Sequence, residues 1–488
     1  MDYRLLSRVL GFLLLLMAVS MGACLLYSLI DNETNHAADR ALGWSALITA
    51  AAGGSLVFLG RGCRREILRR EAIAIVGLGW IVSSGFGALP YMLGEPSLPP
   101  AAAVFESASG FTTTGSSAIA DVEIWPRGIL LWRATTQWLG GMGILVLFVA
   151  ILSMVAGGSK SLFRRESSAK FSEGFSTSVR ETSWRLWQIY MGLSALCAIG
   201  LVVLGMPVFD AVCHTFAAIS TGGFSTRNAS IAYYDSPAIE WWIILFMALG
   251  AISFMLYAWL LARRWVRWKQ DEETRFYLGM LVFVTAVITG SLLYNAAAGG
   301  FADSLRAAAF QVVSVSTTTG FVTADYDKWS NFARIMLVAL MFVGGCAGST
   351  AGGVKVGRLL VFFKTFARQL THTFRPTQVV PVRINGVPLT DSYLAEVGFF
   401  IALVGFIVAL GSLAVAVLEP SFDLVSSFGA VVANLFNVGP GLGAVGPMCT
   451  YAGLHPGTHL VLSLLMIMGR LEILVLLALF SHRLWRKY

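Results

Sequence analysis

Long apolar runs alternate with short ones along this chain, and the alternation predicts its architecture. Ten stretches are long enough to cross a bilayer, near 5–30, 42–60, 72–93, 128–156, 184–205, 238–262, 276–295, 332–363, 391–418 and 457–482. A helix of about 20 apolar residues covers the hydrocarbon core. Between some of them lie shorter, weakly apolar stretches that cannot cross. Four of these share one pattern: 101–115 (AAAVFESASGFTTTG), 210–224 (DAVCHTFAAISTGGF), 303–321 (DSLRAAAFQVVSVSTTTGF) and 423–440 (DLVSSFGAVVANLFNVGP). Each ends in a Thr- or Asn-rich turn with a glycine, and Gly115, Gly223, Gly320 and Gly439 follow one another at 108, 97 and 119 residues. Each follows one span and precedes another. One TTTG is an ordinary turn; four at the same place in a two-span unit are an internal repeat.

The predicted fold is therefore an all-α integral membrane protein with four pseudo-symmetric span–pore-loop–span repeats around one central pore, preceded by two extra transmembrane helices. The extra helices fall in 1–70 and the repeats in 71–158, 159–268, 269–390 and 391–488. Asp210, Asp303 and Asp423, and the Pro99–Pro100 pair in the first unit, stand where each short helix should begin. Asp suits a helix N-terminus and Pro its first turn. Such half-helices direct their negative C-terminal ends at the pore centre, which favours a cation. Backbone exposed at membrane depth is tolerated where it lines a watery path, and glycine permits the φ > 0 turns that aim carbonyls at one axis. Four such loops supply a ring of carbonyls able to replace a cation's hydration shell.

Composition and charge agree. Of 488 residues 56% are hydrophobic and 13% charged, about half the charge of a soluble domain. The net charge of +8 would suggest nucleic acid in a soluble protein, but its distribution argues for lipid. Of 35 Lys and Arg, 27 fall at Arg4 and Arg8, in 61–70, 160–185, 263–275 and 355–383, and at the C-terminus. The alternate loops hold seven, among them Arg133. This positive-inside asymmetry places both termini in the cytoplasm of a bacterial inner membrane. The six cysteines are scattered and read as small packing residues. His455 and His459 lack a carboxylate partner nearby in sequence, which disfavours a zinc site. No Walker motif or nucleophile elbow occurs, which argues against an ATP-driven pump or an enzyme. Parallel repeats with almost no intramembrane acid argue against the common secondary transporters.

Three further features bear on mechanism. Residues 344–353, GGCAGSTAGG, interrupt a span with five glycines, Gly344, Gly345, Gly348, Gly352 and Gly353. Each weakens a helix by about 1 kcal/mol, so the segment reads as a loop beneath the filter, the alternative being a close-packed helix interface. Arg470 lies thirteen residues from one end of its span and twelve from the other, either a functional charge or a tie to carbonyls. Glu472, two positions on, should project elsewhere. Glu106, in the first pore helix, should hold N–H groups of its own loop. Gly141, Gly250, Gly345 and Gly469 occupy similar places in the four second spans, and Lys355 and Arg358 could line the inner mouth.

The FTTTGS, STGGFS, TTTGF and NVGPGLG loops, with GGCAGSTAGGVK and MGRLE, resemble the Trk/Ktr/HKT superfamily of potassium transporters over the whole chain. The two extra spans resemble the TrkH type rather than KtrB. The resemblance implies a potassium filter of Thr113, Thr114, Gly115, Thr221, Gly222, Gly223, Thr318, Thr319, Gly320, Asn437, Val438 and Gly439. It implies gating by residues 344–353 and a pore-facing Arg470. It also implies a homodimer and a cytosolic TrkA-type ring of nucleotide-binding subunits, with K+ as transported ion and no cofactor in this chain. The loops depart from TVGYG, so the filter is expected to be short and less selective. A sodium-permeable relative is the nearest rival, and Gly115 argues against it, since plant members that carry sodium have serine there.

Overall fold

The computed structural model describes residues 2–31, 36–62, 69–143, 179–263, 265–295 and 299–485. Six helices among them are long and apolar enough to cross a membrane: Tyr3–Ile30, His36–Leu59, Arg70–Leu93, Ser183–Val203, Glu272–Tyr294 and Asp391–Leu418. The first two are the extra pair and pack along each other. The other four are the first spans of the four repeats.

Each first span leads into a short buried helix: Pro100–Phe111, Val208–Ile219, Phe301–Ser316 and Leu424–Leu435. A 12-residue helix at about 1.5 Å per residue covers about 18 Å, half a bilayer. Their starts differ in detail. Asp423 is a side-chain N-cap, accepting the Ser426 N–H at 2.8 Å. Asp210 and Asp303 lie inside the first turn, after Pro207 and Gly300, and Pro99–Pro100 open the first.

The second spans depart from expectation. The sequence predicts one break, at 344–353, yet three of the four are interrupted among the described residues. Arg127–Gly141 ends at Gly141, and the rest of that span, with the 160–178 stretch, lies outside the described residues. Pro237–Ala251 bends by 92° into Phe254–Leu261. Asn331–Met341 and Val356–Phe374 flank the long break, and Pro456–Arg470 is separated from Leu474–Leu479 by Leu471, Glu472 and Ile473, the last two at positive φ. Apolarity predicts where chain can enter a membrane, but LGGMG, ALGAI and MGRLE are too short to register against an apolar background.

The repeats close into a ring. Pore helices 2 and 3 pack on the second spans of repeats 1 and 2, and pore helix 1 packs on that of repeat 4. Phe342, ending the outer half of the third second span, packs at a tilt against Phe428 and Phe436 around pore helix 4.

Candidate functional site, four equivalent loops above one long break

Each pore helix ends the same way. The N–H of Thr114 reaches back to the Ser109 carbonyl, Gly222 to Ala217, Thr319 to Ser314 and Val438 to Ala433, at 2.7–2.9 Å. The residue before closes the tighter bond, Thr113 to Gly110, Thr221 to Ala218, Thr318 to Val315 and Asn437 to Asn434. This is the Schellman closure, which needs a left-handed residue and usually takes glycine. Here that place holds Thr113, Thr221, Thr318 and Asn437, with φ of 55°, 55°, 57° and 57°. The left-handed form costs about 1–2 kcal/mol for a residue with a Cβ, so four copies mark a demanded geometry. Their carbonyls accept no hydrogen bond from the described residues, although all four residues are fully buried.

Two residues on, each loop has a second left-handed residue, Gly115, Gly223, Gly320 and Gly439 at φ 78–97°. Here glycine is obligatory for a second reason. A Cβ on Gly115 would strike the Gly222 carbonyl, on Gly223 that of Thr319, on Gly320 that of Val438, and on Gly439 that of Thr114. Loop 1 thus abuts loop 2, loop 2 loop 3, loop 3 loop 4, and loop 4 loop 1. The twelve filter candidates are brought together as one closed ring, with the Thr114, Gly222, Thr319 and Val438 carbonyls directed sideways along it.

Behind the ring the anchors differ. Glu106, seven residues before Thr113, accepts the Ala118 N–H at 2.7 Å, as expected, and pairs with Arg133 at 2.6 Å. Arg133 is therefore a buried residue of the second span, not a loop charge. It also donates to the Ser225 carbonyl at 2.9 Å and lies 3.5 Å over the Phe224 ring, joining repeat 1 to repeat 2. The same position carries His214 in repeat 2, bonded to Ser225. In repeat 3 it carries Gln311, whose amide oxygen, oriented toward its donors, accepts the Thr323 and Ala324 N–H groups at 2.9 and 3.2 Å. In repeat 4 it is Ala430. There Asn437 donates to Thr114 Oγ1 and the Met466 carbonyl, and Ser116 to Asn434, sewing repeat 4 to repeat 1.

Immediately below the loops lies the long break. Residues 344–353 are not helical, and a bridge joins Val343 to Val354. Thr350 donates to the Ile219 and Gly250 carbonyls, and the Gly352 N–H reaches Thr318 Oγ1 at 2.7 Å. The Cys346 N–H bonds the Ala251 carbonyl, and the Gly348 carbonyl accepts from Phe254. The segment thus bonds to the short helix of repeat 2, to the loop after that of repeat 3 and to the bend of repeat 2. Gly348 and Gly353 take φ of 76° and 65°. Gly344 lies against the Gly352 carbonyl, Gly345 against Ala251, and Gly352 against Asn437. The loop alternative is the one realised.

Arg470 meets this loop. It donates to the Thr350 carbonyl at 2.7 Å and to Gly140 and Gly141 at 2.9 Å each, joining the long break of repeat 3 to the end of Arg127–Gly141. It is not midway along a continuous helix but the last residue of Pro456–Arg470. Glu472 is not alone either, since it pairs with Arg358, and Lys355 donates to the Ala351 carbonyl. The glycine matching across second spans shifts by one residue: Gly140, Gly250 and Gly469 face the Phe111, Ile219 and Leu435 carbonyls at the pore-helix ends, and Gly345 does not. Sequence reasoning missed Gln137, which grips the Gly222 carbonyl and the Phe224 N–H, and Thr350 and Glu273. Gln137 and Arg133 carried a readable signal, polar side chains inside an apolar run.

Comparison with known proteins accords with this geometry. The family model described as TrkH, cation transport protein, matches residues 45–487. The chain is 38% identical to the Trk system potassium uptake protein TrkH of Halomonas elongata and 36% to that of Salmonella typhimurium, over all of both chains in each case. The crystal structure of the potassium transporter TrkH from Vibrio parahaemolyticus superposes with a TM-score of 0.89 at 33% identity over all of both chains. The chain therefore belongs to the TrkH family of cation transport proteins.

Proposed function

We propose that this chain takes up potassium across the bacterial inner membrane through the ring of four loops, with residues 344–353 closing the path beneath. The observation that carries the reading is the set of four equivalent buried carbonyls, at Thr113, Thr221, Thr318 and Asn437, that accept from no donor among the described residues. A buried carbonyl without a partner is costly, and a cation that has shed its water supplies one to all four at once. The half-helix dipoles add negative potential at the same point. Potassium is favoured because the aligned relatives are named as potassium uptake proteins.

The Lys- and Arg-rich side is cytoplasmic and holds both termini. Thr113–Gly115, Thr221–Gly223, Thr318–Gly320 and Asn437–Gly439 form the filter, and K+ is cargo rather than cofactor. The chain works as a homodimer and takes its control from a cytosolic TrkA-type nucleotide-binding subunit, through which the 344–353 loop is moved. A ligand moves such a loop only by binding its open and closed forms unequally.

Purified protein in liposomes tests the reading. Flux under a potassium gradient should exceed flux under an equal sodium gradient, and shortening 344–353 should raise both. Equal sodium and potassium flux would leave a weakly selective cation pathway. A fall in flux with folding intact would remove the gate.

A further inference from the structure

Residues 344–353 are held from a direction that neither the filter nor Arg470 explains. Glu273, in the first turn of Glu272–Tyr294, is 1% exposed. One of its oxygens, Oε1, accepts two backbone N–H groups, from Ala347 at 2.7 Å and Gly357 at 2.9 Å. These lie at opposite sides of the break. Ala347 is within the loop, and Gly357 is in the first turn of Val356–Phe374, where N–H groups have no partner inside their helix. That helix has no side-chain cap of its own at Lys355. Glu273 therefore caps it from another helix while holding the loop's first half. Gly357 makes room, since a Cβ there would sit 3.2–3.5 Å from the carboxylate atoms.

The residues just before Glu273 are gripped from the basic face. A two-residue hairpin joins Arg383–Ile384 to Val387–Pro388, with Asn385 at φ 51° and Gly386 at φ 80° in its turn, the signature of a type I′ connection. Asn385 accepts the Glu272 N–H at 2.9 Å and donates to Asp271 at 3.4 Å. Lys364, on the helix leaving the break, reaches both Glu272 and the Arg383 carbonyl. Hairpin, helix start and both sides of the break are joined within three consecutive residues, Asp271, Glu272 and Glu273.

On the reading of 344–353 as the gate, we infer that Glu273 is the positioning residue that holds it shut and that the 383–388 hairpin is the handle that acts on it from the cytoplasmic surface. Displacing the hairpin tilts the start of Glu272–Tyr294, and the shared Oε1 transmits that tilt to both sides of the break together. The two charge-assisted bonds bias the gate toward its closed form.

Potassium flux from liposomes holding the full-length protein tests this with Glu273→Ala, Glu273→Gln, Asn385→Gly and the Glu273→Ala/Asn385→Gly double variant. Glu273→Ala should raise basal flux about tenfold or more, the scale expected for losing two hydrogen bonds to a charged group. Glu273→Gln should raise it less, since an amide oxygen still accepts both N–H groups. Asn385→Gly keeps the left-handed turn and loses only the two amide contacts. It should raise flux modestly and add nothing on the Glu273→Ala background, because residues acting through one another are not additive. If Glu273→Ala does not assemble, Gly357→Ala, which crowds the same carboxylate, replaces it. Unchanged flux in the Glu273 variants, where shortening 344–353 does raise flux, overturns the inference and leaves the gate. Unchanged flux in both removes the gate as well. Independent, multiplying effects of Glu273 and Asn385 overturn the handle.

Discussion

The outer and inner halves of this pathway are built on opposite rules. In the outer half the four repeats converge: four left-handed residues within 2° of one another, four glycines each against the next loop's carbonyl, four matching helix closures. In the inner half they diverge. One second span bends by 92°, one opens into a ten-residue loop, and one breaks over Glu472 and Ile473. A spherical ion exerts the same demand on every side of its coordination shell, so departures from fourfold likeness are penalised there. A gate has no such requirement and needs one element that can move against fixed neighbours. On the function proposed above, equivalence serves coordination and inequality serves control.

The largest expected effect tests the equivalence. Gly115→Ala, Gly223→Ala, Gly320→Ala and Gly439→Ala each drive a Cβ into a backbone carbonyl that cannot move without opening the ring. All four should abolish selective flux, and Gly115→Ser should act likewise and erode the preference for potassium over sodium. Permeability ratios of the four variants measure it. One tolerated alanine would show that its loop stands outside the ring.

The anchors behind the ring, where equivalence stops, come next. Glu106→Ala leaves Arg133 buried and unpaired, and breaking such a pair costs about 3–5 kcal/mol. Gln311→Ala, at the same position of repeat 3, removes only neutral hydrogen bonds and should cost about 1–3 kcal/mol. Thermal unfolding in detergent should rank the two in that order. Equal losses would mean that the Arg133 link between repeats 1 and 2 is idle.

This contrast also sets what the sequence could disclose. The filter loops were legible because equivalence repeats a pattern: four Thr- or Asn-bearing turns at matched positions raise one another above chance. Glu106 was legible because a carboxylate in a short apolar helix has few uses. The inner half was legible only at 344–353, where ten small residues in a row are conspicuous. The helix ends at Gly141, Ala251 and Arg470 depend on one or two residues each and on partners more than a hundred positions away, such as the Gly140 and Thr350 carbonyls that Arg470 meets. Arg133 was counted as a loop charge because charge in an apolar run is ordinarily terminal. Its partner, Glu106, lies 27 residues earlier, outside any local window.

Arg470 tests the inner half. Its bonds to the Thr350, Gly140 and Gly141 carbonyls tie the long break to the end of Arg127–Gly141, and the gating charge proposed above would belong to the same residue. Arg470→Ala should lower stability by about 2–4 kcal/mol, the scale of losing hydrogen bonds to a charged group, and raise cation flux by loosening Thr350 and removing a positive charge from the path. Raised flux with an unchanged melting temperature would assign the effect to charge alone. A lower melting temperature without raised flux would reduce Arg470 to a tie.

The smallest effect probes the one pore-helix start whose Asp is itself the side-chain N-cap. Asp423 caps Leu424–Leu435 from the outer surface, and its bonds to the Ser426 side chain and N–H hold the carboxyl below the usual carboxylate range. Losing such a cap costs about 1 kcal/mol, so Asp423→Ala should lower the melting temperature slightly and leave the filter's preference among cations intact. The sign of the pH dependence follows from the direction of the shift. A carboxyl whose folded value is depressed contributes stability above its unfolded value, about 3.9, and that contribution is lost as pH falls through the folded value. Wild type should therefore lose its advantage over Asp423→Ala below about pH 4, whereas Asp423→Asn, which caps without ionising, should keep its own advantage at every pH. Melting curves of the three proteins between neutral and acid pH decide it. A pH-independent gap between wild type and Asp423→Ala would mean that the cap acts through geometry alone, making the fourth pore helix as indifferent to charge at its start as the first, which opens on Pro99 and Pro100.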